Sequence, residues 1–174
     1  MRAPIKKIII CGGGSAGWMS AAVLSNQFPN MEIALVESPN IPVVGVGEST
    51  LGTINSFLDM LDLKDEDWMK ECQATYKLGI KFSDFYAKDD VYYYPFGVKD
   101  TQNTQAGVTD WYVKKTLNPD ISKLDFYNSL YSCMPFIYDN KIYDNADGQL
   151  PNFSWRTDVA YHVDAIQFGH MLRD

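Results

Sequence analysis

Apolar residues near the start of the chain come first as a run and then as a stripe. Lys7–Cys11 reads KIIIC, a continuous apolar segment of the kind buried on both faces of a parallel sheet. From about Ala16 to Gln27 the spacing becomes helical, with Met19, Ala22, Val23 and Leu24 expected inward and Pro29 and Asn30 ending the helix. Glu32–Glu37, EIALVE, then alternates as a second strand. Strand, glycine turn, helix and strand predict a βαβ unit.

The pattern continues less evenly. IPVVGVGEST is a Pro/Gly loop, and it leads to a predicted helix over Leu51–Leu61 with Leu51, Ile54, Phe57, Leu58 and Leu61 on one face. Asp65 suits the N-cap of a further helix from Glu66 to about Lys77, with Gly79 as its stop. Ile80, Phe82 and Phe85 predict a strand whose Lys81 and Ser83 face the other way. Tyr92 to Leu150 holds scattered aromatics, Pro95, Pro119 and Pro135 and a turn at Asn145–Gly148, and it reads as an irregular α+β insertion. The tail, YHVDAIQFGHMLRD, reads as helical from Asp164, with Ile166, Gly169, Met171 and Leu172 on the buried side.

The expected fold class is α/β, a Rossmann-like βαβ core with an α+β insertion. Its expected division is a nucleotide-binding core over 1–90, including the glycine loop and the helix that ends at Lys77, an insertion over 91–150, and the start of a second nucleotide-domain segment over 151–174. Two legible parallel strands fall short of a doubly wound sheet, so a partial sequence is expected.

Composition narrows the function. A formal net charge of -7, with no Lys/Arg cluster, argues against sequence-independent nucleic-acid binding. No apolar run approaches the roughly 18 residues of a membrane span. The apolar run after Lys7 is too short for a secretion signal and flows into glycines. Cys11, Cys72 and Cys133 lie far apart without a CxxC pair, which reads as reduced thiols of a cytoplasmic protein. His162 and His170 have no partner at zinc-ligand spacing, so no metal is expected.

Chemistry concentrates in the glycines. Gly12-Gly13-Gly14-Ser15-Ala16-Gly17 fits G-x-G-x-x-G between a strand and a helix. Gly12 permits the tight turn, Gly14 lets backbone approach a pyrophosphate, and Gly17 lets helix and strand pack closely; N–H groups at the helix start then face the phosphates. Glu37, at the end of the second strand, is placed to accept from both ribose hydroxyls of an adenosine. This combination predicts an ADP-containing dinucleotide and does not choose between FAD and NAD. A second motif, Gly45-Val46-Gly47-Glu48-Ser49-Thr50, fits a cofactor loop, and it equally fits an ordinary loop in which Ser49 and Thr50 begin a helix. Lys77 and Lys81, four apart in ECQATYKLGIKF, are both open as reactive residues on local sequence alone. Lys77 sits at a predicted helix end, and Lys81 on the outward side of a predicted strand. Trp18 and Trp68 read as packing residues.

Four blocks in order, GGGSAGWMSAAVL, VESPNIPVVGVGEST, WMKECQATYKLGIKF and AYHVDA, resemble the N-terminal part of the flavin-dependent halogenases of the tryptophan-halogenase family, while Tyr92–Leu150 matches only loosely. The resemblance implies the FAD-binding fold shared with flavin monooxygenases. It implies FAD contacts from Gly12, Gly13, Gly14, Ser15, Ala16, Gly17, Glu37, Ser38, Val44, Gly47, Glu48, Ser49 and Thr50, with GVGEST as a strap linking flavin and substrate compartments. It also implies FADH2- and O2-dependent halogenation of an electron-rich, indole-like aromatic, in which hypohalous acid passes to a lysine. That lysine is the first in aromatic-Lys-x-x-aliphatic-Lys-Phe, here Lys77. A halide ion and a separate flavin reductase as FADH2 source are implied as partners, and a homo-oligomeric state stays open. His162-Val163-Asp164-Ala165 resembles the family's HFDA block and implies a helix start with Asp164 as a first-turn acid. The family's W-x-W-x-I-P block and the later glutamate that partners the lysine do not occur in this sequence. A flavin monooxygenase, or a flavin-binding homologue without halogenase activity, is the alternative.

Overall fold

A computed structural model of the chain describes residues 4–41, 45, 47–97, 104–142 and 153–174. Its elements begin with β1 (Lys7–Cys11), α1 (Ser15–Gln27), β2 (Glu32–Val36), β3 (Gly47–Ser49), α2 (Ile54–Met60) and α3 (Asp65–Trp68). They continue with β4 (Thr75–Lys77), β5 (Gly79–Ser83), β6 (Val91–Pro95) and α4 (Thr104–Leu117). The last are α5 (Leu124–Leu130), α6 (Met134–Asp139), β7 (Ala160–Asp164) and α7 (Ala165–Arg173). Two compact units result: Met1–Thr75 with Ala160–Asp174, and Tyr76–Val159. Among the described residues no helix is long and apolar enough to cross a membrane.

The first unit contains the predicted βαβ. β1 and β2 pair in parallel from Lys7↔Glu32 to Cys11↔Val36, and α1 joins them. The expectation that KIIIC is buried on both faces is corrected. Ile9 and Val36 are each 59% exposed, because α1 covers only the face that carries Leu35. Ile8 and Ile10 take the half-covered side in strand alternation. In α1 the most buried residue is Ala21, with Met19, Ala22, Val23 and Leu24 half-buried around it.

Two predicted helices are shorter than their patterns. α2 spans Ile54–Met60 and is entered through i→i−3 bonds such as Ile54 N–H to Leu51 O (2.9 Å). Leu51 is therefore exposed, while Ile54 and Leu58 are buried as expected. The helix expected from Glu66 to Lys77 ends at Trp68, and Lys64, not Asp65, is its N-cap. Asp65, Glu66 and Asp67 fill its first turn at the positive end of the dipole. The chain then closes in a Schellman-type turn: Ala74 N–H bonds Met69 O (2.7 Å), Gln73 N–H bonds Lys70 O (3.4 Å), and Gln73 takes φ 49°. Lys77 consequently lies in a strand.

The tail is also re-read. Ala160–Asp164 is a strand, antiparallel to β3 with Gly47↔Asp164, Glu48↔Val163 and Ser49↔His162 in register. Asp164 is the N-cap of α7, and its carboxylate accepts from the N–H groups of Ile166 and Gln167, each at 2.9 Å. A helix starting at Ala165 buries Ala165, Phe168 and Gly169 and turns Ile166 outward, 41% exposed. Trp68, 1% exposed, packs edge-on against Tyr161 (4.9 Å between centroids) and Phe168 (5.8 Å) to centre this core.

In the second unit β5 and β6 form an antiparallel pair from Gly79↔Pro95 to Ser83↔Val91. Lys81 and Ser83 face out and Ile80 and Phe82 face in, as predicted, but Phe85 lies beyond the strand and is exposed. The segment predicted as an α+β insertion supplies β6 and helices α4 to α6. The turn expected at 145–148 lies outside the described residues. Cys133, Phe153 and Val159 form this unit's core. No disulfide links the thiols: Cys72 and Cys133 are buried, whereas Cys11 is exposed.

Candidate functional site

Within the first unit, the glycine turn has the geometry its spacing predicts. Gly12 takes φ +116°, a conformation that other residues rarely adopt. A Cβ on Gly17 would stand 1.9 Å from Gly12 O, so only glycine lets α1 pass that close to the turn. Gly13 is covered by Glu37, whose Oε2 would lie 1.6 Å from an added Cβ; the carboxylate therefore rests on the turn. Gly14 has nothing within 4 Å of that position and opens to space.

α1 begins without a cap. Gly14 is its N-cap residue, no side chain caps it, and its first turn holds no acid. The first backbone bond into the helix is Trp18 N–H to Gly14 O (3.1 Å), which leaves the N–H groups of Ser15, Ala16 and Gly17 without a helical acceptor. An uncapped helix start beside an open glycine is a seat for an anion, and the dipole adds roughly half a positive charge there. The Ser15 hydroxyl donates to Glu48 Oε1 (3.3 Å), tying the turn to β3. A cleft beside this turn is lined by Gly13, Ser15, Trp18, Glu37, His170 and Arg173, among others. These residues fit the ADP half of a dinucleotide.

The strap residues are placed differently from the reading in which Ser49 and Thr50 begin a helix. Ser49 belongs to β3, and Thr50 is bound to Tyr161 of β7. Thr50 N–H donates to Tyr161 O (2.8 Å), and its hydroxyl both donates to that oxygen (3.1 Å) and accepts from Tyr161 N–H (2.9 Å). Gly47 pairs opposite Asp164. Ser38 accepts from Asn40 N–H (3.3 Å) in a local turn and is not among the cleft residues. Ala16 is exposed on α1, and Val44 lies outside the described residues. Sequence reasoning missed Trp18, His170 and Arg173 as cleft residues; the i, i+3 spacing of the last two on a helical tail was their only signal. Among the described residues no group of His, Cys, Asp and Glu could hold a metal ion.

Within the second unit, Lys77 is the last residue of β4, not a helix end, and it is 7% exposed. Its Nζ stands 5.3 Å from the centroid of the Phe96 ring. Burial pulls its pKa below the ordinary lysine value, because the interior disfavours the ammonium. Phe96 is itself fixed at both backbone groups: its N–H donates to Leu78 O (2.8 Å), and its carbonyl accepts from the Cys133 thiol (3.3 Å). That thiol is pushed up to about 11 by burial, so at neutral pH it stays a donor. Gly79 keeps the next strand close, since a Cβ there would meet Tyr94 O at 2.8 Å. Lys81, by contrast, is exposed in β5 opposite Tyr93. The two lysines thus lie in different strands and separate by burial, and neither stands at a helix end.

Comparison with known proteins gives a consistent set of likenesses. The family described as tryptophan halogenase matches residues 7–174. The tryptophan 6-halogenase SttH of Streptomyces toxytricini is 41% identical over 111 residues, covering 62% of this chain and 21% of SttH. The VirX1 apo structure superposes with a TM-score of 0.83 at 43% identity, covering 98% of this chain and 33% of VirX1. Xcc4156, a flavin-dependent halogenase from Xanthomonas campestris, gives a TM-score of 0.80 at 30% identity over 98% of this chain and 33% of its own. The chain therefore spans a third or less of the length of these relatives.

Proposed function

This chain belongs to the tryptophan halogenase family, and from that premise we propose that it supplies the flavin-binding turn and the reactive lysine of an enzyme that halogenates an electron-rich, indole-like aromatic. The observation that carries the reading is Lys77, a lysine 7% exposed with its Nζ over an aromatic ring. Bound as FADH2 from a separate reductase, the flavin would supply the two electrons with which O2 and halide yield hypohalous acid.

The chain's own residues then divide the work. Gly12, Gly13 and Gly14 with the N–H groups of Ser15, Ala16 and Gly17 receive the diphosphate, and Glu37 accepts from the ribose hydroxyls. Gly47, Glu48, Ser49 and Thr50 of the GVGEST strap, together with Ser38 and Val44, complete the cofactor contacts, with Glu48 held to Ser15. The Lys77 ammonium donates a hydrogen bond to the hypohalous oxygen and so polarises the oxygen–halogen bond. In the transfer the halogen bonds to a ring carbon, that carbon loses its proton, and the oxygen leaves as water. A shielded lysine suits this step, since it keeps the oxidant from bulk water.

The test supplies FADH2 from a reductase together with halide, O2 and an indole substrate, and follows product mass. Halogenated product is expected from the protein and not from Lys77→Ala, while FAD titrates both equally. Halogenation retained by Lys77→Ala would remove that residue from the mechanism. An oxygenated product formed without halide would instead identify a monooxygenase.

A further inference from the structure

The segment that builds the nucleotide turn carries no cation. Between Lys7 and Lys64 the sequence has no lysine, arginine or histidine, whereas Glu32, Glu37, Glu48, Asp59 and Asp62 all fall there. Glu37 lies on the turn and Glu48 accepts from Ser15 beside it. A diphosphate entering this cleft meets the helix dipole and, against it, two carboxylates. Positive side chains must come from elsewhere in the fold.

They come from α7. His170 and Arg173, three apart on its last turns, line the same cleft as Gly13, Ser15 and Glu37. Gly169 of α7 lines the cleft with them, and a Cβ there would stand 3.8 Å from the Trp18 ring, at ordinary packing distance. The Arg173 Nε donates to Asp174 Oδ1 (3.0 Å), and the terminal guanidinium nitrogens make no hydrogen bond to the described residues. Two parallel N–H donors on a planar cation match a phosphate's oxygens bidentately.

We propose that Arg173 is a cofactor-binding residue, its guanidinium contacting the diphosphate of the dinucleotide whose ribose Glu37 reads, with His170 as the second polar group on that wall. The inference rests on the reading that this cleft holds an ADP-containing cofactor. The sequence places the contributor some 160 residues from the glycine turn, on the helix that follows β7.

Calorimetric titration of the protein with FAD, ADP and adenosine tests it, with Arg173→Gln, Arg173→Lys and Asp174→Asn as variants and circular dichroism as the check on folding. Arg173→Gln should weaken FAD and ADP about tenfold or more, the effect of losing a charge-assisted pair, and should leave adenosine unchanged. It should also flatten the decline of ADP affinity with salt. Arg173→Lys should recover part of the loss, and Asp174→Asn, which releases the Nε partner, should tighten ADP. Equal ADP affinity in wild type and Arg173→Gln overturns the role of Arg173 alone. No binding of either FAD or ADP by the wild type overturns the nucleotide reading and this inference with it. Should Arg173→Gln fail to fold, ADP affinity unaltered in both Arg173→Lys and Asp174→Asn overturns the proposal.

Discussion

The Nζ of Lys77 stands 5.3 Å from the centroid of the Phe96 ring, and each residue is only 7% exposed. Burial disfavours the ammonium, and the negative face of the ring partly offsets this. Replacing Phe96 by leucine keeps the site apolar and removes the ring. The lost interaction, about 0.5–1 kcal/mol, should lower the Lys77 pKa by roughly half a unit more. An NMR titration of the lysine Cε or Nζ signals reads it directly. A pKa that stays put or rises in Phe96→Leu rules out the ring as a partner of the charge.

Lys77 should also give stability a pH dependence of definite sign. Its folded pKa lies below the unfolded value near 10.5. Between those values the unfolded chain binds more protons, so stability rises with pH across that window and is flat below it. Lys77→Met keeps the stem and removes the charge. It should flatten the rise and leave the protein more stable at pH 7, as expected where a buried charge serves chemistry rather than folding. Urea unfolding of the wild type and Lys77→Met at several pH values between 7 and 10.5 checks this. Burial of the Cys133 thiol lowers the stability of both above about pH 9, so a wild type that gains no stability relative to Lys77→Met as pH rises contradicts it.

The turn glycines should separate folding from binding. Gly17→Ala places a Cβ 1.9 Å from Gly12 O and must push α1 off the turn. A destabilisation of about 1–3 kcal/mol is expected, as for other overpacked sites. Gly14 has φ −76° and no neighbour within 4 Å of a Cβ, so Gly14→Ala should fold like the wild type. Its methyl would nonetheless stand where a diphosphate approaches, and FAD affinity should drop. Thermal unfolding paired with flavin titration distinguishes the two effects. An unfolded Gly14→Ala, or one that binds FAD normally, refutes this division.

What could be read from the sequence followed how local its causes are. β1, α1, β2 and the glycine turn rest on short-range patterns, and they came out nearly residue for residue. The pattern carries a helix as far as Lys77 because the first stop that ECQATYKLGIKF announces is Gly79. The break is made by Gln73 in a left-handed conformation, which tertiary packing around Trp68 supports and no glycine marks. β7 was hidden for another reason. AYHVD is a strand through pairing with distant segments, among them β3, more than 100 residues earlier. Cleft residues on α7 share that origin, since they reach the turn through packing that local periodicity does not encode. Within the proposed sites, the glycines were legible by motif, and the burial of Lys77 followed only once β4 was seen.

The pairing of Thr50 with Tyr161 holds β3 against β7, and with it the strand that carries Glu48. Three hydrogen bonds join the two residues, two of them through the threonine hydroxyl, and Tyr161 is 3% exposed. Thr50→Val keeps the shape and the backbone bond but strands the Tyr161 N–H without its acceptor. Leaving a buried donor unpaired costs about 1–3 kcal/mol. The variant should lose that much stability in denaturant unfolding, while Thr50→Ser, which keeps the hydroxyl, should lose little. Because Glu48 reaches Ser15 from this strand, FAD affinity should weaken in Thr50→Val and return in Thr50→Ser. A Thr50→Val protein as stable as the wild type would mean that the hydroxyl is dispensable to the pairing, and β3 would then have to be held by its backbone ladder alone.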